Sequence, residues 1–259
     1  MTGPAAAPPI VRRGRVDSTQ TIVFGLAADG SPDRTVVVAD SQAAGRGRLG
    51  RVWHDEPSES LLCSILLRPR LAPAQLPTLS LTAAVAVAEA LARAAGLVPR
   101  LKWPNDVLVE GRKIAGILLE TRLSAMPPPM PPPSVPPPSA VAPGPIVALG
   151  VGINIAQRAF PPELAERATS VHLAGGEADR DGVLAALLEA FDGWRTRLEQ
   201  EGFAPVRARW RALADTLGRR VSVDGVTGTA VDVDDDGALL VDNGRGRRRV
   251  TAGVVSEVD

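Results

Sequence analysis

Eleven of the twenty residues from 126 to 145 are proline. Such a run has few backbone donors and a fixed φ, so it joins neither a helix nor a sheet ladder and reads as an extended connection. The stretches on either side, "GRKIAGILLE" (111–120) and "PIVALGVGIN" (145–154), both have the texture of core strands. The tract is therefore a long surface link between neighbouring strands of one core, and not a boundary between domains. This constrains the fold: the sheet has to close across an insertion that contributes nothing to it.

The remaining pattern fills in a mixed architecture. "RTVVVAD" (34–40) and "SLLCSILLRP" (60–69) read as buried strands, and residues 74–96 as a buried, alanine-rich helix with Gly96 at its C′ position. Residues 99–120 read as strand, turn, strand, turn, strand, with "PND" breaking the pairing and Glu110-Gly111 as a hairpin turn. Residues 181–202 and 204–218 follow as amphipathic helices, with Trp194 and Trp210 assigned to the core. From Arg219 the chain turns to short strands punctuated by Gly and Asp, which predicts a small β-barrel. "DVDDDG" has the start of a calcium loop, but Asn243 stands where its glutamate would be, so it reads as a hairpin turn. The expected class is α+β: residues 1–217 as a mixed sheet packed with helices, and 218–259 as the barrel.

With 259 residues the chain can bury one sizeable core, and its formal net charge of zero argues against nucleic-acid binding driven by whole-protein charge. A single cysteine, Cys63 in an apolar run, excludes a disulfide framework and reads as packed, which makes a cytoplasmic setting the default. Residues 1–16 lack the apolar core of a signal peptide, and no run is read as reaching the ~20 residues that cross a bilayer. His54 and His172 have neither a nucleophile elbow nor metal-ligand spacing around them.

Arginine outnumbers lysine 27 to 2, and the two lysines, Lys102 and Lys113, lie close together. A chain that uses the guanidinium fork nearly everywhere keeps the compact ammonium at these positions. Residues 45–51, "GRGRLGR", set three glycines among Arg46, Arg48 and Arg51 and lead to Trp53. Exposed backbone N–H groups and guanidinium groups together suit a phosphate or acyl phosphate, and the tryptophan can cover a flat ligand. This is not a Walker loop, because no Gly-Lys-Ser/Thr follows. "KWPND" (102–106) puts an ammonium, an amide (Asn105) and a carboxylate (Asp106, a possible Mg²⁺ ligand) within five residues. "GVGIN" (150–154) ends on Asn154 after two glycines that permit close approach to a ligand.

In this order, "DST" (17–19), "GRGRLGRVW" (45–53), "KWPND", "GRKIAGILLE" and "GVGIN" resemble the biotin–protein ligase family over nearly the whole chain. The glycine-arginine and K-W-P-N-D segments are specific to it; the related lipoate ligases share the fold without that pair. The resemblance implies a catalytic domain like the class II aminoacyl-tRNA synthetases and an SH3-like C-terminal domain. It implies that ATP and biotin give biotinyl-5′-AMP, after which a lysine of a biotin carboxyl carrier domain, of an acetyl-CoA, acyl-CoA or pyruvate carboxylase, takes the biotinyl group.

By the same resemblance Ser18, Thr19 and Gln42 hydrogen-bond the ureido head, with Gly45, Arg46, Arg48, Lys113 and Gly116 also on the biotin side. Arg51, Trp53, Lys102, Asn105, Asp106 and Asn154 serve the adenylate, and Arg46, Arg48, Arg51 and Lys113 carry the catalysis, with Mg²⁺ on the phosphates. No tightly bound prosthetic group, DNA or membrane is expected, and a monomer or weak homodimer is. Only about sixteen residues precede Asp17, too few for a helix-turn-helix repressor domain. Two departures stand out: Gln20 where the family commonly has Asn, and a tail, "AGVVSEV", without the aspartate that often follows its glycine. Two other readings make opposite predictions: a lipoyl or octanoyl ligase on the same scaffold, and a nucleic-acid-binding module using the arginine loop and Arg245–Arg249.

Overall fold

In the computed structural model, which describes residues 7–122 and 144–258, alternate residues of the central strands face two different layers. Seven strands form one mixed sheet: β1 (Ile10–Val16), β2 (Val36–Gln42), β3 (Ser60–Leu67), β4 (Arg100–Lys102), β5 (Asp106–Val109), β6 (Arg112–Arg122) and β7 (Ile146–Asn154). Their order is β1-β2-β3-β7-β6-β5-β4, and only the β1–β2 pair is parallel. On β3, Leu61, Cys63, Ile65 and Leu67 enter the large core with helices α2 (Thr78–Ala95), α4 (Arg180–Glu201) and α5 (Ala204–Leu213). Leu66 faces the other way, with Val37 and Ala148, onto Val23, Phe24 and Ala27 of helix α1 (Thr19–Ala28). A single turn, α3 (Pro162–Ala165), follows β7.

β6 and β7 pair antiparallel from Ala115–Ile153 out to Arg122–Ile146. The proline-rich connection therefore joins sheet neighbours, as its flanks required; its residues 126–143 lie outside the described residues. Gly96 takes the left-handed C-cap of α2 at φ 66°, and Glu110 and Gly111 both have positive φ, which is the geometry of a tight primed hairpin turn.

Several expectations need correction. β1 and α1 were not anticipated; the arginines on β1 mask its pattern because it is an exposed edge strand, and α1 mixes β-branched residues with Gly25. "PND" does not break the pairing, since Lys102 and Asp106 are ladder partners across a three-residue turn. α5 ends at Leu213, because Ala214 goes on to bridge Leu101 in β4 and the Asp215 N–H donates to Leu101 O at 2.8 Å. Trp210 is core as expected, but Trp194 is half-buried, its indole N–H donating to Glu89 Oε2 at 2.8 Å with Arg197 over the ring. Pro73–Ala95 is long and apolar enough to cross a membrane by composition, contrary to the sequence reading; here it is mostly buried as the core helix.

After α5 come β8 (Arg220–Val223), β9 (Val226–Val233), β10 (Leu239–Asp242), β11 (Arg247–Val250) and β12 (Ser256–Glu257), antiparallel in the order β11-β10-β9-β8-β12. A closed barrel was expected, but among the described residues β11 and β12 do not pair. β12 is two residues long, and the tail leading to it lines the cleft described below. The "DVDDDG" segment is a turn, with Gly237 N–H donating to Asp234 O at 3.0 Å.

Leu91 is fully buried in α2. Leu91→Ala is expected to lower stability by about 2–5 kcal/mol in urea unfolding with an unchanged m value, and a loss under ~1 kcal/mol would contradict this packing.

Candidate functional site

The same alternation that buries Val147, Leu149, Val151 and Ile153 of β7 leaves Gly150, Gly152 and Asn154 on the opposite face. Gly116 of β6 is the ladder partner of Gly152. α1 covers this face near Ala148 and, through Gln20, at Gly150, and beyond it the bare strands floor a cleft of about 890 Å³. That volume suits a ligand of drug or nucleotide size.

One end of the cleft is polar and uncharged. Ser18 is the N-cap of α1, and its side chain makes no capping bond. Thr19 donates to Gln42 Oε1 through its N–H (2.8 Å) and hydroxyl (3.1 Å), and its hydroxyl lies 2.7 Å from Ser64 Oγ. Ser64 was missed by sequence reasoning, although a serine in the apolar run "SLLCSILL" was the available signal. Gln20 is also here: its side-chain N–H₂ donates to Leu118 O (3.0 Å) and Ala148 O (3.3 Å), so it ties α1 to β6 and β7 beneath Gly150.

The other end is cationic. Arg48, Arg51, Lys102 and Lys113 gather there around Asp106, while Arg46, which also lines the cleft, reaches back toward Thr21 of α1. Arg46 pairs with Glu120 (2.7 Å), and the Lys113 ammonium with Asp106 (2.6 Å). Among the described residues Arg48, Arg51 and Lys102 have no ion pair. Burial lowers the Arg48 pKa from its ordinary value and nearby Arg51 adds to this, while Asp106 opposes it. Arginine still stays protonated, so the site holds a partly desolvated cation beside a like charge, a standing demand for an anion.

The arginine loop leaves β2 and folds back on itself: Arg46 bridges Val52, and the Trp53 N–H donates to Gly45 O at 3.0 Å. Gly45 does not line the cleft; a Cβ there would come within 2.8 Å of Trp53 O, so it permits the loop's closure instead. Trp53 lies on the glycine floor, where a Cβ on Gly152 would meet its ring at 2.7 Å and one on Gly116 at 3.0 Å. The close approach that these glycines permit is thus made by the protein's own indole, and the Lys113 ammonium sits 5.7 Å from the ring centroid. The indole N–H is buried without a partner, a cost of about 1–3 kcal/mol that a ligand acceptor would remove.

Asn105 and Asn154 line the cleft, but each amide has a structural bond: Asn105 to Ile117 O and Asn154 to Thr169 O, both at 2.9 Å. Thr169 N–H in turn donates to Lys113 O, and Lys113 N–H to Arg167 O, both at 2.8 Å, so residues 167–169 hold the backbone of Lys113. Arg167 itself lines the cleft and was missed, as were Asp215, Arg219 and the tail residues Gly253–Glu257. Among the described residues no cluster of three or more His, Cys, Asp or Glu could cage a metal. Cys63 is packed, as expected, with burial pushing its thiol up to about 12.

Two outcomes follow from this geometry. Gly152→Ala is expected to expel Trp53 from the floor and red-shift tryptophan emission; an unshifted spectrum would contradict the stacking. Cys63 is expected to resist thiol reagents at pH 8 until the protein is unfolded, and labelling of native protein would contradict its burial.

A model of the biotin/lipoate A/B protein ligase family matches residues 14–127, and one of the biotin protein ligase C-terminal domain matches 216–256. The biotin--[acetyl-CoA-carboxylase] ligase of Paracoccus denitrificans is 36% identical over 254 residues, 93% of this chain and 97% of that one. The Mycobacterium tuberculosis ligase of the same name is 35% identical over 253 residues, 92% and 85% of the two chains. A solved biotin protein ligase from Aquifex aeolicus, in complex with biotin and ATP, superposes with a TM-score of 0.77 at 28% identity, covering 96% of this chain and 97% of that one.

Proposed function

The chain belongs to the biotin/lipoate A/B protein ligase family, and from that premise we infer that it is a biotin–protein ligase. It activates biotin with ATP to biotinyl-5′-AMP and transfers the biotinyl group to a lysine of a carboxylase carrier domain. The observation that supports this best is the two-ended cleft: a neutral hydrogen-bonding end around Thr19, Gln42 and Ser64, and a cationic end where Arg48, Arg51 and Lys102 have no ion pair among the described residues.

Biotin's carboxylate is ionised at neutral pH, so the first step needs no general base. The carboxylate oxygen attacks the α-phosphorus, the bond to the β-phosphate breaks, and pyrophosphate leaves. Two anions must be brought together while charge builds on the α-phosphate, and Arg48, Arg51, Lys102 and Lys113 supply the compensating field. In the second step the carrier amine attacks the acyl carbon and AMP departs. Ser18, Thr19 and Gln42 take the ureido head, Arg46 and Gly116 border biotin, and Trp53, Asn105 and Asn154 line the adenylate. The arginine loop, closing over the mixed anhydride, keeps water from it until the carrier arrives.

Mg²⁺, where it takes part, neutralises phosphate charge. Phosphoryl-transfer sites hold it through phosphates and one or two carboxylates, and Asp106, whose other oxygen faces Lys113, fits that role as a shared ligand. Residues 1–217 form the biotin- and ATP-binding unit in this reading and 218–259 the C-terminal unit. The carrier belongs to an acetyl-CoA, acyl-CoA or pyruvate carboxylase, and the reaction is cytoplasmic, a setting that suits one buried free thiol.

Biotin-dependent ATP–pyrophosphate exchange tests the reading. Exchange is expected with biotin and lower by ~10⁴-fold with octanoate, which leaves the polar end unpaired. Exchange with lipoate or octanoate instead would reassign the substrate, and salt-sensitive nucleic-acid binding without exchange would reassign the class. Lys113→Ala should cut adenylate formation by at least ~10²-fold with an unchanged unfolding midpoint, and a normal burst of biotinyl-AMP would remove the role given to it. Arg48→Ala should instead release adenylate into solution, so tight retention would count against the closing loop.

A further inference from the structure

β4 is the outer strand of the seven-stranded sheet, and it carries Lys102 at its end. A three-residue edge strand has little of its own to hold it in place. Here its open side is taken by the chain that enters the C-terminal unit. Besides the Leu101–Ala214 bridge and the Asp215 N–H bond, the Arg100 guanidinium donates to Ala212 O (3.3 Å) and Ala214 O (2.9 Å).

The next residue makes the firmest link. The Trp103 backbone N–H donates to Thr216 Oγ1 at 2.9 Å, and its indole N–H donates to Gly237 O at 3.0 Å, in the turn between β9 and β10. Trp103 and Thr216 are each only 2% exposed, so water cannot replace either bond, and losing one leaves a buried N–H unpaired. The turn is itself fixed: Gly237 has φ 82°, and a Cβ on it would come within 3.0 Å of Leu81 of α2. Trp103 is thus gripped from two points of the C-terminal side. Lys102 precedes it directly, and three residues on, Asp106 holds the Lys113 ammonium.

We infer that Thr216 is a positioning residue for ATP activation: with Gly237 it latches Trp103, and through Trp103 it sets Lys102 and Asp106 at the cationic end of the cleft. Thr216 does not itself line the cleft. The C-terminal unit therefore takes part in the first step through a contact outside the cleft as well as through the tail that lines it. The inference rests on the biotin-activating reaction proposed above.

Thr216→Val keeps the shape and removes the acceptor, Thr216→Ser keeps the oxygen, and Trp103→Phe removes the indole donor together with its five-membered ring. In biotin-dependent pyrophosphate exchange, Thr216→Val is expected to worsen kcat/KM for ATP about tenfold, the scale of one lost buried hydrogen bond. Biotin affinity measured by calorimetry without ATP should stay at the wild-type value. Thr216→Ser should restore exchange, and Trp103→Phe should move the same ATP parameter in the same direction. Urea unfolding run in parallel gives the folded fraction for each variant. Wild-type ATP parameters per folded Thr216→Val molecule would overturn the latch, as would an equal loss of biotin and ATP affinity. Failure of the wild-type protein to exchange at all would instead sink the ligase reading, so the two failures are distinguishable.

Discussion

Two adjacent strands that carry branched residues on one face and glycine on the other leave a strip of naked backbone, and the cleft is organised around that strip. Val147, Leu149, Val151 and Ile153 anchor β7 in the core, while Gly152 and its ladder partner Gly116 expose the opposite face. The space where side chains would stand is filled by the ring of Trp53, closer than a methyl group on Gly152 would allow. Trp53 brings the arginine loop with it, because its N–H is bonded to Gly45. α1 covers the neighbouring part of the face and presents Ser18, Thr19 and Gln20 from its N-terminal end. Floor, lid and polar end are thus three consequences of one strand pattern.

Charge is sorted with comparable economy. The chain is formally neutral, and half of its arginines outside the cleft are in ion pairs, among them Arg195 with Asp33 and Glu199, and Arg249 with Asp234 and Asp236. Within the cleft, Arg48, Arg51 and Lys102 have no such partner among the described residues. A neutral protein can therefore present a local positive field within one cleft. Arg48 is partly buried beside Arg51, and that burial lowers its pKa from the ordinary value. Lys113 differs in being held: Asp106 takes its ammonium, and residues 167–169 take its backbone.

Much of this was legible in the sequence, for physical reasons that also explain the gaps. The proline tract could not enter a ladder, so the runs beside it had to be sheet neighbours, and β6 and β7 are. The cationic loop declared itself by three arginines with no acidic residue among them, and "KWPND" by a lysine that is rare in this chain. Local pattern could not reveal partners brought together only by folding. Trp103 reads as a site aromatic within its motif, yet its bonds go to Thr216 and Gly237, more than a hundred residues away. For the same reason α5 was extended past Leu213 over residues that instead run beside β4. β1 and α1 went unread because arginines mask the pattern of the exposed edge strand and α1 mixes β-branched residues with Gly25.

The central claim is that one cleft receives the ureido end of biotin beside Thr19, Gln42 and Ser64 and the adenylate phosphate beside Arg48 and Arg51. A crystal structure with a non-hydrolysable biotinyl-5′-AMP analogue tests it most directly. The account predicts the fused ring against those three side chains and the phosphate-mimicking group within hydrogen-bond reach of the two guanidinium groups. An analogue bound in the reverse direction, or outside the glycine floor of β6 and β7, would contradict it.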